Sequence, residues 1–121
     1  MRRFAGGLLA LLLFASSLAA EPVDEIRALI DRVAASDCRF YRNGTWHEAE
    51  AAAEHLARKL RIARWTGRSG TAEDFIEQAG TRSSMSGEVY RVQCPGTPSR
   101  VSSEWLMELL RAVRAAPDAR G

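Results

Sequence analysis

Apolar residues recur three or four positions apart in three long stretches of the chain, and this spacing predicts three amphipathic helices. The stretches cover residues 22–35, 48–65 and 103–115. In the second stretch, carboxylates crowd the beginning and cations crowd the end, a polarity that matches the helix macrodipole. Ser102 directly precedes the third stretch and is predicted to cap it, because a serine hydroxyl can accept hydrogen bonds from the first backbone N–H groups of a helix.

A fourth, shorter helix is predicted to begin after Thr71. Thr71 and Asp74 have the spacing of a capping box, in which each side chain bonds the backbone N–H of the other residue. Gly80 is a suitable end for this helix. Residues 81–88 and 95–100 are rich in small, polar or turn-forming side chains, so both segments are predicted to be loops.

Alternation of apolar and polar positions predicts a small antiparallel sheet. Residues 38–42 alternate, and the dipeptide Asn43-Gly44 readily adopts the positive φ values of a two-residue hairpin turn. Residues 45–47 are then the return strand of the hairpin. Residues 89–94 alternate again and are predicted to be one later strand.

The chain contains two cysteines, Cys38 and Cys94, and an even count in a small exported domain predicts a disulfide. If these two residues face each other across an antiparallel pair, Phe40 lies beside Val92, so the bond and both alternations agree on one register. A redox-active thiol pair is the alternative, although the chain has no C-x-x-C motif. The predicted fold is therefore α+β: about four helices packed on a small antiparallel sheet, a hairpin plus one later strand, with one disulfide.

The first twenty residues have the pattern of an export signal. Arg2 and Arg3 form a positive start, residues 8–14 are apolar, and residues 16–20 are mostly small. The apolar run is shorter than the roughly 20 residues that a membrane-spanning helix needs. We therefore expect a periplasmic or secreted protein. Its predicted organisation has three segments, a cleaved signal peptide (1–20), a single small domain (21–116) and a frayed tail (117–121).

Removal of the signal changes the charge balance. The whole chain has 17 lysine and arginine residues against 15 aspartate and glutamate residues. Arg2 and Arg3 leave with the signal, so the expected mature domain is neutral in formal charge. A neutral domain argues against nucleic acid as a partner. No cofactor is predicted.

A group of potential metal ligands occurs around the start of the second predicted helix. It comprises His47, Glu50, Glu54 and His55. Glu50 and Glu54 share a helix face without either histidine, and the spacing is not H-E-x-x-H. The pattern therefore favours surface histidines and carboxylates at a helix start, and no metal site is predicted.

His55 also raises the possibility of catalysis. A small hydrolase could use His55 with Ser84 or Ser86, since the loop that carries these serines could fold back toward the second helix. The chain lacks a G-x-S-x-G nucleophile motif, and serines in such loops usually bond the backbone. The protein is therefore interpreted as non-enzymatic, with the hydrolase kept as the alternative.

Residues 58–68 carry five cations and one aromatic residue, Trp65. Such a segment can dock an anionic surface, for example phospholipid headgroups, a cell-wall polymer or an acidic patch on an envelope protein. Arg61 and Arg64 are the side chains expected to make this contact. The other interpretation is a solvated helix end that the macrodipole favours, with Trp65 folded onto the core.

Five segments, in order along the chain, carry a resemblance to a known family. They are S-D-C-x-F-x-R-N-G (36–44), A-x-x-A-A-x-H-L-x-x-K (49–59), T-A-E-D-F-I (71–76), S-S-M-S-G-x-x-Y-x-V-x-C (83–94) and S-x-E-W-L (102–106). Together they resemble the YfeK-like family of small exported bacterial proteins, which carries a domain of unknown function. The resemblance covers nearly all of the chain after the predicted signal.

The resemblance implies a bacterial periplasmic protein and brings no activity, cofactor or partner with it. Within the pattern stand polar residues whose roles packing alone does not explain, and these are binding candidates together with Arg61 and Arg64. They are Arg42, Asn43, His55, Lys59, Ser84 and Ser86. The leading hypothesis is a non-catalytic module that binds another component of the cell envelope.

Overall fold

The computed structural model describes residues 21–116, so the predicted signal peptide (1–20) and tail (117–121) lie outside the described residues. Four helices and four strands follow one another along this range. In chain order they are α1 (Pro22–Ala35), β1 (Arg39–Arg42), β2 (Thr45–Glu48), α2 (Ala49–Trp65), α3 (Ala72–Ala79), β3 (Arg91–Gln93), β4 (Arg100–Val101) and α4 (Ser102–Ala115).

The four predicted helices are confirmed, with one correction at the start of α4. Ser102 does not cap this helix: Val101 is the N-terminal cap residue, and Ser102 is the first helical residue and is buried. The reason is that β4 continues directly into α4. The backbone N–H of Ser102 therefore bonds the residue before β3, donating to Tyr90 O at 2.9 Å. A helix that begins in this way needs no side-chain cap at that position.

The capping box of α3 is present as predicted. Thr71 Oγ1 accepts from Asp74 N at 3.0 Å, and Asp74 Oδ2 accepts from Thr71 N at 3.1 Å. Gly80 ends the helix, and its N–H donates to Ile76 O at 2.9 Å. The α3 helix is therefore fixed at both ends by local sequence.

The sheet has the strand order β2-β1-β3-β4, and all its pairs are antiparallel. The predicted hairpin is present, with positive φ values of 51° at Asn43 and 86° at Gly44. The predicted register between β1 and β3 is confirmed, since Phe40 pairs with Val92. The Cys38–Cys94 disulfide closes the end of this pair.

The fourth strand is an addition to the predicted sheet. Arg100 and Val101 pair with Val92 and Arg91, although residues 95–100 were predicted to be a turn-rich connection. The strand predicted over residues 89–94 is also shorter than expected. A two-residue strand contains too few positions to show any alternation, so its pairing depends on the tertiary structure.

The core lies between the helices and one face of the sheet. Phe40 and Val92 supply the sheet side of the core, and Trp105 packs edge-on against Phe40 with ring centroids 5.5 Å apart. The opposite face of the sheet carries Trp46, whose ring packs at a tilt against Tyr41 with centroids 5.4 Å apart. Within residues 21–116, no helix is long and apolar enough to cross a membrane.

Candidate functional site

Five polar side chains meet beside the sheet, at the edge of the core. Arg42 lies at the end of β1, His47 lies in β2, and Tyr90 directly precedes β3. His55 and Lys59 are four residues apart on α2 and therefore project from the same side of that helix. We call this group the Tyr90 cluster: Arg42, His47, His55, Lys59 and Tyr90.

A cavity of about 40 Å³ opens at the Tyr90 cluster. Every member of the cluster except Lys59 lines it, Tyr41 and Ser102 line it as well, and its apolar lining includes Phe40, Leu56 and Leu106. A volume of this size holds a few water molecules or one small polar group. The wall is tight at Gly80, because a Cβ atom there would lie 2.6 Å from Leu106 Cδ1.

The Tyr90 hydroxyl is the centre of the hydrogen bonds in the cluster. Tyr90 is buried, and its hydroxyl accepts from Lys59 Nζ at 3.0 Å and lies 3.4 Å from His55 Nε2. Lys59 Nζ also donates to Ala79 O at 3.2 Å. An ammonium group has three N–H donors, so these two bonds leave one donor for a further acceptor.

Lys59 differs from every other cation of the protein in its chemistry. It is the single lysine of the chain, and the remaining members of the 17 lysine and arginine residues are all arginines. Its ammonium group also lies 5.1 Å from the centroid of the Tyr90 ring. A compact ammonium can fit between a carbonyl and a phenol where a planar guanidinium would need more room.

The electrostatic environment of His55 is entirely positive. Burial is the largest cause that lowers the pKa of the His55 imidazole, followed by the charges of Arg42, Lys59, Arg58 and His47, and together they bring it from 6.5 to about 4. Among the described residues, no carboxylate lies within 4.0 Å of Lys59 or of Arg42. The imidazole is therefore neutral at neutral pH, and the Lys59 and Arg42 charges of the cluster are not paired with a carboxylate of residues 21–116.

Asn43 and Ser86 contact each other in the structure. Both are close in sequence to members of the Tyr90 cluster, but neither belongs to it. Ser86 Oγ donates to Asn43 Oδ1 at 2.7 Å, so the loop before β3 is joined to the hairpin turn. Ser84 is exposed. The hydroxyl beside His55 belongs to Tyr90 rather than to a serine, so these contacts lend no support to a serine–histidine pair.

Arg61 and Arg64 lie away from the Tyr90 cluster. They line an open groove of about 620 Å³ between α1 and α2, together with Arg27 and Asp31. The predicted basic segment is thus divided, because Lys59 turns inward to Tyr90 while the arginines of the segment remain exposed. Trp65 does not fold onto the core and is 88% exposed.

Within residues 21–116, no three His, Cys, Asp or Glu side chains come together in a group that could hold a metal ion. The donors that do converge in the Tyr90 cluster are ammonium, guanidinium, imidazole and phenol groups. Ammonium and guanidinium groups only donate hydrogen bonds, so the cluster is suited to an acceptor with negative charge.

Comparison with known proteins places the chain in a family. Residues 20–114 match the family of unknown function DUF5329. The chain belongs to this family. It is also 36% identical, over 66 residues, to the uncharacterized protein YfeK of Salmonella typhimurium, and the match covers 54% of this chain and 53% of that protein. The chain thus spans about half the length of this curated relative, and no solved structure matches it.

Membership of the DUF5329 family confirms the resemblance found in the sequence and assigns no activity. The functional interpretation therefore depends on the chemistry of the Tyr90 cluster. Sequence reasoning had selected Arg42, His55 and Lys59 but had treated Tyr90 as a strand residue. Tyr90 is one of the named residues of the segment 83–94, and that was the available signal, but alternation alone gave it a structural explanation.

Proposed function

We propose that this protein is an exported, non-catalytic binding module of the bacterial cell envelope, and that the Tyr90 cluster binds an anionic group of its ligand. The observation that carries the proposal is the half-buried ammonium group of Lys59, which has no carboxylate of the described residues within 4.0 Å. Arg42 lines the same site and adds a second positive charge.

A partly buried cation is costly unless a counter-charge or hydrogen bonds compensate for its lost hydration. In the Tyr90 cluster, the dipoles of Ala79 O and the Tyr90 hydroxyl provide part of this compensation. A ligand carboxylate or phosphate oxygen would accept from the remaining Lys59 N–H and complete it. The cavity is small, so only the anionic group of the ligand would enter it, beside Arg42 and Tyr90; Lys59 lies outside the lining and contacts it through the Tyr90 hydroxyl.

Export is the second element of the proposal. It is supported by the signal-like pattern of the first twenty residues and by the Cys38–Cys94 disulfide, since disulfides persist in oxidising compartments such as the bacterial periplasm. Both supports are independent of the Tyr90 cluster. Recovery of the disulfide-bonded, signal-cleaved chain from the periplasmic fraction would establish this element, and its retention in the cytoplasm would exclude it.

Anion binding can be tested by titrating the His55 imidazole by NMR in the absence and presence of acetate or inorganic phosphate. The chain that begins at residue 21 suffices, since every described element and the disulfide lie after it. A bound anion stabilises the imidazolium, so the pKa of His55 should rise from about 4. The neutral analogue acetamide should leave this pKa unchanged. A larger response to one of the two anions identifies the ligand as a carboxylate or a phosphate.

The Lys59→Met variant provides the mutational test, because methionine keeps the aliphatic stem and removes the charge. We expect the affinity for the anion to fall at least about tenfold, the equivalent of about 1.4 kcal/mol for one lost charge contact. Arg111→Met is the matched control, since Arg111 is an exposed cation on α4. An equal response of wild type and Lys59→Met, or the absence of any response in wild type, would overturn the proposed site.

A further inference from the structure

The outer face of α2 has an unusual composition for a surface exposed to water. Arg58, Arg61, Ile62 and Trp65 recur at positions i, i+3, i+4 and i+7, so they share one side of the helix. The buried side chains of α2 are Ala49, Ala52, Ala53, Leu56 and Leu60. At 100° per residue the first set lies opposite the second, on the side away from the core. We call this surface the arginine–tryptophan face: Arg58, Arg61, Ile62 and Trp65.

Both apolar residues of this face are well exposed. Trp65 is 88% exposed and Ile62 is 54% exposed. Single exposed apolar residues are common on protein surfaces. Here two of them lie three positions apart on the outer side of one helix, where residues at this spacing are neighbours. Packing among residues 21–116 therefore does not explain them.

The charge around the face is positive and is not neutralised within the described structure. No aspartate or glutamate occurs between residues 55 and 72, and the arginines of this stretch, Arg58, Arg61, Arg64 and Arg68, are all exposed. None of them has a carboxylate of residues 21–116 within 4.0 Å. In contrast, Arg100 and Arg114 each form close ion pairs with glutamates.

We infer that the arginine–tryptophan face docks peripherally on a bilayer that contains anionic phospholipids. The exposed arginines would contact lipid phosphates, and the indole of Trp65 would lie at the level of the headgroups, where tryptophan is favoured. Charge complementarity supports this partner because basic clusters bind anionic lipid surfaces. Shape supports it as well: the face is the outside of a single helix, and a deformable surface accepts projecting side chains without a matching pocket. An acidic protein would need such a pocket for Trp65.

This inference is independent of the function proposed for the Tyr90 cluster. The two surfaces use different side chains, apart from Arg58, whose guanidinium lies 3.5 Å from His55. The test therefore changes Arg61 and Trp65 and leaves Arg58 intact. Lys59→Met should weaken anion binding at the Tyr90 cluster and leave binding to the bilayer unchanged, so failure of either proposal can be recognised separately.

The experiment is co-sedimentation of the chain that begins at residue 21 with phospholipid vesicles. One set is phosphatidylcholine with about 30–40% phosphatidylglycerol, on the order of the anionic lipid content of a charged leaflet, and the other set is pure phosphatidylcholine. Removal of residues 1–20 prevents the apolar N-terminal stretch from binding the vesicles itself. We expect binding only to the anionic vesicles, weakened by added salt because exposed charges are screened. Trp65→Ala and Arg61→Glu should each reduce the bound fraction at least about fivefold.

Two matched controls distinguish binding by this face from nonspecific binding to vesicles. Met85→Ala removes the other large apolar side chain that is highly exposed in residues 21–116, at 90%, and Arg111→Glu reverses an exposed charge on α4. Both should bind anionic vesicles like the wild type. Wild-type protein that fails to bind anionic vesicles would overturn the inference, as would equal losses in the control variants. Binding to soluble polyglutamate without binding to vesicles would overturn it in favour of an acidic protein partner.

Discussion

Arg114 and Lys59 are both partly exposed cations at the border of the core, and their surroundings are opposite. Arg114 donates four hydrogen bonds to two carboxylates: Nε and Nη2 bond Glu25 at 2.9 and 2.8 Å, and Nη1 and Nη2 bond Glu73 at 2.7 and 3.1 Å. These contacts join α1, α3 and α4. Lys59 bonds one carbonyl and one phenol, and no carboxylate of the described residues lies within 4.0 Å.

The contrast distinguishes a cation that serves the fold from a cation that is available to a ligand. The carboxylates of Glu25 and Glu73 raise the pKa of Arg114, and Arg114 in turn lowers the pKa of Glu73. In the Tyr90 cluster, by contrast, His55 is surrounded by basic neighbours. Burial and the repulsion from these positive charges lower its pKa. Charges matched inside the chain stabilise it, whereas unmatched charges around a cavity favour an anion from outside.

Removal of the disulfide by Cys38→Ala with Cys94→Ala is expected to have the largest effect, and it should affect the Tyr90 cluster more than the Arg114 contacts. The bond joins residues 56 apart in sequence, and the loss of unfolding free energy should be about 4 kcal/mol in the chain-entropy description. Because β1 and β3 position Arg42 and Tyr90, the Tyr90 cluster should lose its anion response, while Arg114 keeps its partners on the helices.

Urea unfolding measures this loss, and the chemical shift of the Glu73 carboxylate reports the Arg114 contacts in the same variant. If the free energy of unfolding falls by less than about 1 kcal/mol and the His55 titration is unchanged, the disulfide is not needed to form the Tyr90 cluster. The single variants Cys38→Ala and Cys94→Ala should each resemble the double variant, since either one removes the bond.

A smaller loss is expected from Arg114→Met, which removes the four hydrogen bonds and keeps the apolar stem. The ion pairs are partly exposed, with 40% of the Arg114 side chain accessible, so water and salt screen them and we expect a loss of about 1 kcal/mol. Arg111→Met on the same helix should change stability little. The difference between the two variants should shrink in 1 M salt, at which the Debye length is about 3 Å.

Low pH gives an independent test of the Arg114 contacts. The pKa of Glu73 is lowered in the folded state, so its contribution is present above the ordinary glutamate pKa and is lost as the pH falls through the folded value. Arg114→Met should therefore lose less stability than wild type on acidification. Parallel acid unfolding curves would contradict a stabilising role for these ion pairs.

An effect of about the same size as that of Arg114→Met is expected at His55. The pKa of this imidazole is about 4 in the folded state against 6.5 ordinarily, so the unfolded chain takes up the proton first. The corresponding stability is present above pH 6.5 and is lost as the pH falls toward 4. Because the ring is half-exposed and solvent screens it, we expect a loss of about 1 kcal/mol. His55→Gln should flatten this part of the pH profile, and Arg111→Met should retain it.

Chemical unfolding at several pH values between 4 and 6.5 measures this profile. Equal slopes for wild type and His55→Gln would show that the folded His55 titrates normally. Addition of acetate should reduce the wild-type slope, because an anion in the Tyr90 cluster raises the pKa of the folded imidazole. This last comparison links the stability measurement to the proposed function.

The sequence predicts the helices and the main strand pairing well because local physical rules operate there. The capping box of α3 uses residues three positions apart, and the hairpin turn depends on the dipeptide Asn43-Gly44 itself. The register of β1 and β3 was also predicted, since the disulfide and the alternation agree on it. The β4 strand and the start of α4 could not be predicted, because both depend on pairing with β3 and on a bond to Tyr90 O.

The candidate site was only partly predictable. His55 and Lys59 were selected as polar residues of the family pattern, and their spacing puts them on one side of α2. Nothing in the spacing shows that Tyr90, 31 residues after Lys59, lies between their side chains. The separate position of Arg61 and Arg64 was hidden for the same reason, since neighbouring residues on a helix project in different directions.

The sequence by itself determined which segments are helical, which strand faces turn toward the core, and which two cysteines pair. These features follow from period, turn chemistry and the presence of only two cysteines. The tertiary structure alone decided which cations are neutralised. Arg114 meets Glu25 across 89 residues and Glu73 across 41, whereas Lys59 meets only neutral groups of the described chain. Charge compensation acts through space and falls steeply with distance, so linear sequence does not encode it.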